Sequence, residues 1–277
     1  MRIALCNEVL QPLGFAEQCK LAQALGYDGL EVAPFTLAED PSTLTDAQAA
    51  EFRRIAADHG IAISGLHWLL VAPPGLSIVS HDAAVRGRTA AFMQRLVELC
   101  AAMGGSYLVH GSPKQRSVPE GATPGQAWER ARECLAKAAQ RAQACGVTYC
   151  IEPLARRETD LVNTVEEGAR MVREIASPAF KTMIDCSAAG RTEQLPVHEL
   201  IASWMTTGDI GHIQVNDPNR RAPGQGELAF GPILSALRTW SGWVAVEPFD
   251  YVPDGPGCAA WSIGYLRGVL EALRHGR

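Results

Sequence analysis

Four oxygen-bearing side chains carry the clearest chemical signal in this sequence: Glu152, Asp185, Gln214 and Glu247. Each stands at the end of a short apolar run. Tyr149-Cys150-Ile151 precedes Glu152, Met183-Ile184 precedes Asp185, Ile213 precedes Gln214, and Val244-Ala245-Val246 precedes Glu247. Any one of them alone reads as a cap or salt-bridge residue. Three carboxylates gathered at one partly buried place repel one another unless a cation lies among them. Ligation by oxygen alone suits a hard or borderline divalent ion, Mn²⁺ or Mg²⁺ ahead of Zn²⁺ or Co²⁺. Gln214 would ligate through its amide oxygen and leave its NH₂ to donate to a neighbour or to substrate. His212 lies two residues earlier and faces the same side of the strand. It is expected deeper than Gln214, supporting the site rather than ligating.

His67 and His110 close two earlier apolar runs, and both are expected to touch a substrate. Glu158 lies six residues past Glu152, and Arg220 lies six residues past Gln214. Arg220 opens the stretch Arg220-Arg221-Ala222-Pro223-Gly224-Gln225-Gly226, which reads as a substrate loop. An arginine there would offset excess negative charge and grip hydroxyl or carboxylate oxygens.

The elements that must position these residues alternate along the chain. Strand patterns cover Ile3–Cys6, Gly29–Val32, Ala62–Leu66, Ser106–Val109, Thr148–Ile151, Thr182–Ile184, Ile210–Val215 and Trp243–Val246. Helical periodicity covers Phe15–Leu25, Thr45–His59, Ala83–Met103, Gly125–Cys145, Thr164–Ile175, Val197–Met205, Pro232–Thr239 and Ala260–His275. Eight of each in 277 residues predicts a (β/α)8 TIM barrel, one α/β domain over residues 1–277. A doubly wound open sheet would carry a Gly-rich loop after its first strand, but Cys6-Asn7-Glu8 follows it here. A barrel builds its site at the C-terminal strand ends. Those ends hold Asn7/Glu8, Glu31, His67, His110, Glu152, Asp185, Gln214 and Glu247, a polar or ionisable group at every one.

Composition narrows the class. Hydrophobic residues at 47% and charged residues at 20% describe a chain with a sizeable core. A net charge of −5 gives no basic footprint for nucleic acid. The most apolar stretch, Ile61 to Val79, is interrupted by His67 and Pro73-Pro74, and no run reads as a bilayer span or a signal peptide. Eight cysteines without a C-x-x-C pair read as reduced core residues of a cytoplasmic protein.

The motifs Ile151-Glu152-Pro153-Leu154, Met183-Ile184-Asp185, Gly211-His212-Ile213-Gln214, Asn219-Arg220-Arg221-Ala222-Pro223-Gly224-Gln225-Gly226 and Glu247-Pro248-Phe249 resemble the xylose-isomerase-like barrel superfamily. Within it the chain is most similar to ketose 3-epimerases of the D-tagatose/D-psicose type. The resemblance implies a divalent metal held by Glu152, Asp185, Gln214 and Glu247. It also implies proton exchange by Glu152 and Glu247 on opposite faces of a substrate bound by Glu158 and Arg220. Two positions depart from the epimerases. Gln214 replaces a metal-binding His, as in hydroxypyruvate-isomerase-like members, and Ala188 replaces a substrate-binding His. The second departure predicts a substrate other than a free hexulose.

The sequence therefore predicts a metal-dependent isomerase or epimerase of a small sugar or sugar acid. It would abstract a proton beside a carbonyl and pass through a metal-stabilised enediolate. A keto-polyol dehydratase and a hydroxypyruvate-type isomerase would use the same site. An endonuclease IV-like repair enzyme would need histidines that Ala188 and Gln214 remove, and a non-catalytic metabolite-binding barrel would not need Glu152 and Glu247. A small-molecule partner is expected, with no nucleic acid or membrane, in a homodimer or homotetramer.

Overall fold

The structure is a computed structural model that describes residues 1–275. Eight parallel strands close into a barrel in sequence order: β1 (Arg2–Cys6), β2 (Gly29–Val32), β3 (Ala62–Leu66), β4 (Tyr107–His110), β5 (Thr148–Ile151), β6 (Phe180–Asp185), β7 (Ile210–Val215) and β8 (Trp243–Val246). Pairing of Ile3 with Val244 and of Leu5 with Val246 joins β1 to β8. The predicted (β/α)8 barrel is thus the fold observed.

The surrounding helices are α1 (Phe15–Leu25), α2 (Asp46–Asp58), α3 (Ala83–Ala102), α4 (Pro124–Cys145), α5 (Val165–Ile175), α6 (Cys186–Thr192), α7 (Val197–Trp204), α8 (Phe230–Ala236) and α9 (Gly255–His275). Local chemistry starts them. Thr45 with Gln48 and Thr123 with Gln126 form reciprocal capping boxes on α2 and α4. Thr164 caps α5, and the amide of Asn163 before it holds the carbonyls of Leu154 and Thr159. Helix α6 was not expected. Asp185 ends β6 and caps α6 through Ala188 N, so no polar spacer separates strand from helix. Helix α9 begins five residues before the expected Ala260, because Pro256 sits in its first turn, where no helical N–H bond is lost.

Apolar strand residues and the inner helix faces form one continuous core. Where β3 meets β4 the backbones approach so closely that a Cβ on Gly65 would lie 2.5 Å from the Tyr107 carbonyl oxygen. The β2–β3 register shifts between Leu30 and Glu31, an irregularity of the kind that re-aims a side chain. All eight cysteines are free thiols, and seven are buried. Among the described residues no helix is long and apolar enough to cross a membrane.

Candidate active site

Strands β5, β6 and β8 deliver Glu152, Asp185 and Glu247 to the C-terminal mouth of the barrel. Ligand oxygens of the three carboxylates all lie within 4.8 Å of one another. Parallel register sets Gln214 of β7 beside Asp185 of β6. All four are buried, and Gln214 is completely so. Above them opens a cavity of about 230 Å³, walled in part by His67, Trp68, Glu152, Glu158, Arg220 and Glu247.

The electrostatics are those of a buried anion cluster. Burial, then the neighbouring charges of Glu247 and Asp185, push the Glu152 carboxyl well above its usual range. Burial lifts Asp185 to about 6, although Ala188 N and Asn216 donate to it. Burial likewise lifts Glu247 to about 8, against the pull of His67. Glu247 Oε1 faces His67 Nδ1 at 3.0 Å and accepts from Trp68 Nε1 at 3.2 Å, while its buried Oε2 has no partner among the described residues. The backbone at Gly111 lies so close to Glu152 that an added Cβ would collide with Glu152 Oε2.

Gln214 Nε2 donates to Glu31 Oε1 at 2.7 Å, and its buried Oε1 is left without a partner. Glu31, wholly buried, also takes the Tyr107 hydroxyl at 2.5 Å and lies 2.8 Å from His212 Nε2. Burial opposes its charge, but His212, His67 and Tyr107 hold the carboxyl down at about 2. His212 is fully buried and stacks on Tyr107, ring centroids 3.9 Å apart.

The two expected substrate histidines have other partners. His67 lines the cavity, but Nε2 meets Glu8 at 3.0 Å and Nδ1 meets Glu247 at 3.0 Å, so neither nitrogen is free. Burial works against its charge, yet Glu8 and Glu247 raise its pKa well above the ordinary value, as an imidazolium between carboxylates requires. His110 is fully buried and pairs through Nδ1 with Tyr149 at 2.8 Å. Burial and the Arg116 charge lower it to about 3, leaving a neutral ring behind the cavity wall. Glu158 accepts from Ala155 N at 3.1 Å and lies 3.4 Å from Arg191. Arg220 lies over the Phe249 ring, 4.8 Å from its centroid, and lines the cavity as its loop position predicted. Arg221 instead pairs with Asp250 at the surface. The loop closes on Asp217, which accepts from Gly224 N and Leu228 N.

Four neighbours were not anticipated. Asn216 ties the rim together, donating to Asp185 Oδ2 at 2.7 Å and to the Glu247 carbonyl at 2.9 Å. Glu8 stood at a strand end without an assigned role. Trp68 reaches Glu247 from a left-handed backbone, φ 53°, uncommon for an aromatic residue. Arg116 is wholly buried, and none of its three guanidinium nitrogens has a partner among the described residues. Burial lowers its pKa to about 10 against the attraction of Glu152 and Glu158.

A closed parallel barrel with acidic groups converging beneath a cavity at its C-terminal mouth has the construction of a (β/α)8 enzyme. The chain belongs to the xylose isomerase-like TIM barrel family, whose model matches residues 19–269. It is 32% identical over 238 residues to a D-psicose 3-epimerase of Agrobacterium fabrum, covering 81% of this chain and 76% of that one. A D-psicose 3-epimerase of Ruminiclostridium cellulolyticum is 30% identical over 236 residues, covering 81% of this chain and 75% of the relative. The solved structure of D-psicose 3-epimerase with D-tagatose from Clostridium cellulolyticum H10 superimposes with a TM-score of 0.83 at 23% identity, over 98% of this chain and 99% of that one. That last likeness concerns the fold.

Proposed function

We propose that this chain is a divalent-metal-dependent epimerase or isomerase of small ketoses or keto sugar acids, with Glu152 and Glu247 as its proton-transferring pair. The observation that carries the reading is the convergence of Glu152, Asp185 and Glu247 within 4.8 Å beneath the cavity at the barrel mouth. The relatedness to enzymes named D-psicose 3-epimerase supports the same chemistry.

The donor set fits a divalent ion. Three buried carboxylates with raised pKa values call for a cation, and the unpartnered oxygens of Gln214 and Glu247 are free to ligate. Glu152, Asp185, Gln214 and Glu247 would hold it, and oxygen donors favour Mn²⁺ or Mg²⁺. When bound, it would supply Lewis-acid polarisation of the substrate carbonyl and positive charge for the developing oxyanion.

The remaining work falls to this chain's own side chains. Glu152 and Glu247 come from β5 and β8, on either side of β6 and β7, and so can reach a substrate carbon from different directions. One removes the proton beside the carbonyl, and the other returns a proton. Return to the same carbon from the other face gives epimerisation, and return to the neighbouring carbon gives aldose–ketose isomerisation. His67 and Trp68 hold Glu247 by Oε1 and so fix the direction in which the carboxylate faces the cavity. Glu158 and Arg220, in the cavity wall, would bind hydroxyl or carboxylate oxygens. The apolar faces of Trp68 and Phe249, edge to face at 6.1 Å, would shield the carbanionic centre from water.

The test is proton exchange in deuterated water with Mn²⁺ and a panel of ketoses and 2-keto sugar acids. The wild type should place deuterium on the carbon beside the carbonyl. Glu152→Gln and Glu247→Gln should keep the fold and lose at least ~10²-fold in exchange rate. Near-normal exchange in a metal-loaded Glu247→Gln protein would refute the two-carboxylate mechanism.

A further inference from the structure

The side-chain amide of Gln214 can present either its oxygen or its NH₂ to the barrel mouth, and the two ends are nearly equal in shape. Only the oxygen can ligate a cation. If the amide turned round, its NH₂ could donate to the surrounding carboxylates and stand in the place of an ion. Something outside the cation site must therefore choose between the two orientations.

Glu31 on β2 is placed to choose. Its Oε1 accepts from Gln214 Nε2 at 2.7 Å, while Gln214 Oε1 is buried without a partner. A carboxylate offers only lone pairs and can receive the NH₂ end but not the oxygen. Glu31 is itself fixed by the Tyr107 hydroxyl at 2.5 Å, by His212 Nε2 2.8 Å away and by the Cys6 thiol at 3.4 Å. Tyr107 is held in turn by Ser64 at 2.9 Å and by stacking on His212. A carboxylate with no exposure at the centre of a barrel is costly unless its oxygens are satisfied, and here each oxygen meets a fixed group. The register shift at Leu30/Glu31 lies where β2 brings this side chain under β7.

We propose that Glu31 is a positioning residue of the cation site, one that captures the Gln214 NH₂ and thereby commits the amide oxygen to the ion. The inference rests on the cation site proposed above. It gives Gln214 the same outer support that a carboxylate gives to a metal-bound imidazole, where loss of the partner costs about 10- to 100-fold in metal affinity.

The experiment measures the dissociation constant for Mn²⁺ at one fixed pH of about 8, by the free-ion electron paramagnetic resonance signal. Four proteins are compared: wild type, Glu31→Gln, Gln214→Glu and the exchanged double variant. Glu31→Gln should bind Mn²⁺ about tenfold more weakly or worse, because an amide at 31 can hold Gln214 either way round. Gln214→Glu should also bind more weakly despite its added negative charge, because it faces Glu31 with no N–H to give. In the double variant the new amide on β2 donates to the new carboxylate on β7, and affinity should return to within about threefold of wild type, since the pair is restored with its roles reversed. A purely structural role for Glu31 predicts no such rescue. Unchanged affinity in Glu31→Gln, or a double variant no better than its weaker parent, overturns the proposal. If Glu31→Gln does not fold, the comparison of Gln214→Glu with the double variant still decides it. A wild type that binds no Mn²⁺ would instead refute the cation site itself.

Discussion

Stripping divalent ions from this protein should make its stability fall as pH rises through neutrality, and Mn²⁺ should reverse the fall. On folding, Asp185 goes from 3.8 to about 6 and Glu247 from 4.5 to about 8, both through burial, and Glu152 rises well above 4.5. The folded chain therefore keeps protons that the unfolded chain has already released. Its stability is complete below the unfolded values and is lost as pH climbs through the folded ones. At about 1.36 kcal/mol per pH unit, the change at Glu247 alone between about pH 5 and about pH 8 is on the order of 4 kcal/mol. For a chain of this size that corresponds to a melting midpoint lower by roughly 5–10 °C. A bound divalent ion stabilises the ionised carboxylates, so the gain on adding Mn²⁺ should grow as protons cease to compete. The assay is thermal melting of chelator-treated protein from about pH 5 to about pH 8.5, with and without Mn²⁺, the range that brackets the carboxyl values. Glu247→Gln should flatten most of the metal-free profile, and Asp185→Asn only its acid end. The reasoning fails if the metal-free midpoint rises across this window, or if the Mn²⁺ gain is the same at both ends.

Three substitutions probe individual parts of the site. Gln214→His replaces a hard amide oxygen by imidazole and should shift preference toward Zn²⁺ and Co²⁺ in competition binding, and an unchanged preference would remove Gln214 from the ligands. Gly111→Ala should displace Glu152 Oε2 while sparing the fold, lowering kcat on the order of 10²-fold with a melting midpoint within about 2 °C of wild type. An active variant would show that Glu152 need not stay where it is. Arg116→Met removes a buried cation whose nitrogens bond to nothing described here. Stability should not fall, because the desolvation cost of a buried unpartnered charge is removed, while the pH at which Mn²⁺ binding is half-developed should move upward, because Glu152 loses a favourable charge. A pH profile that does not move would mean that Arg116 is not felt at the site.

The barrel and its rim were legible because they depend on period and order. An apolar run leading to a polar residue needs only strand alternation to place that residue at the mouth, and Glu152, Asp185, Gln214 and Glu247 all follow that rule. What the run ends do not carry is pairing across the barrel. His67 looked available to substrate until Glu8 and Glu247 closed on both its nitrogens, the second from 180 residues away. His110 likewise turned to Tyr149. Glu31 was visible at the end of β2, but its bond to Gln214 joins residues 183 apart. Helix α6 was hidden because a single residue, Asp185, serves as strand end and helix cap at once. Arg116 gave no local signal, standing in the loop between β4 and α4 beside Gln115 and Ser117, which are only half-buried.

The backbone at Trp68 bears on how this site could change over evolutionary time. At φ 53° position 68 already has a shape that glycine adopts freely. Losing the indole therefore asks nothing of the main chain. The tryptophan and glycine codons differ by a single base. One mutation would open the wall between Glu247 and Phe249 and release one of the two groups holding Glu247, trading precision at that carboxylate for room. Lineages carrying this barrel could thus drift between a tight mouth suited to small sugars and a wide one admitting substituted ones, through an intermediate that still folds.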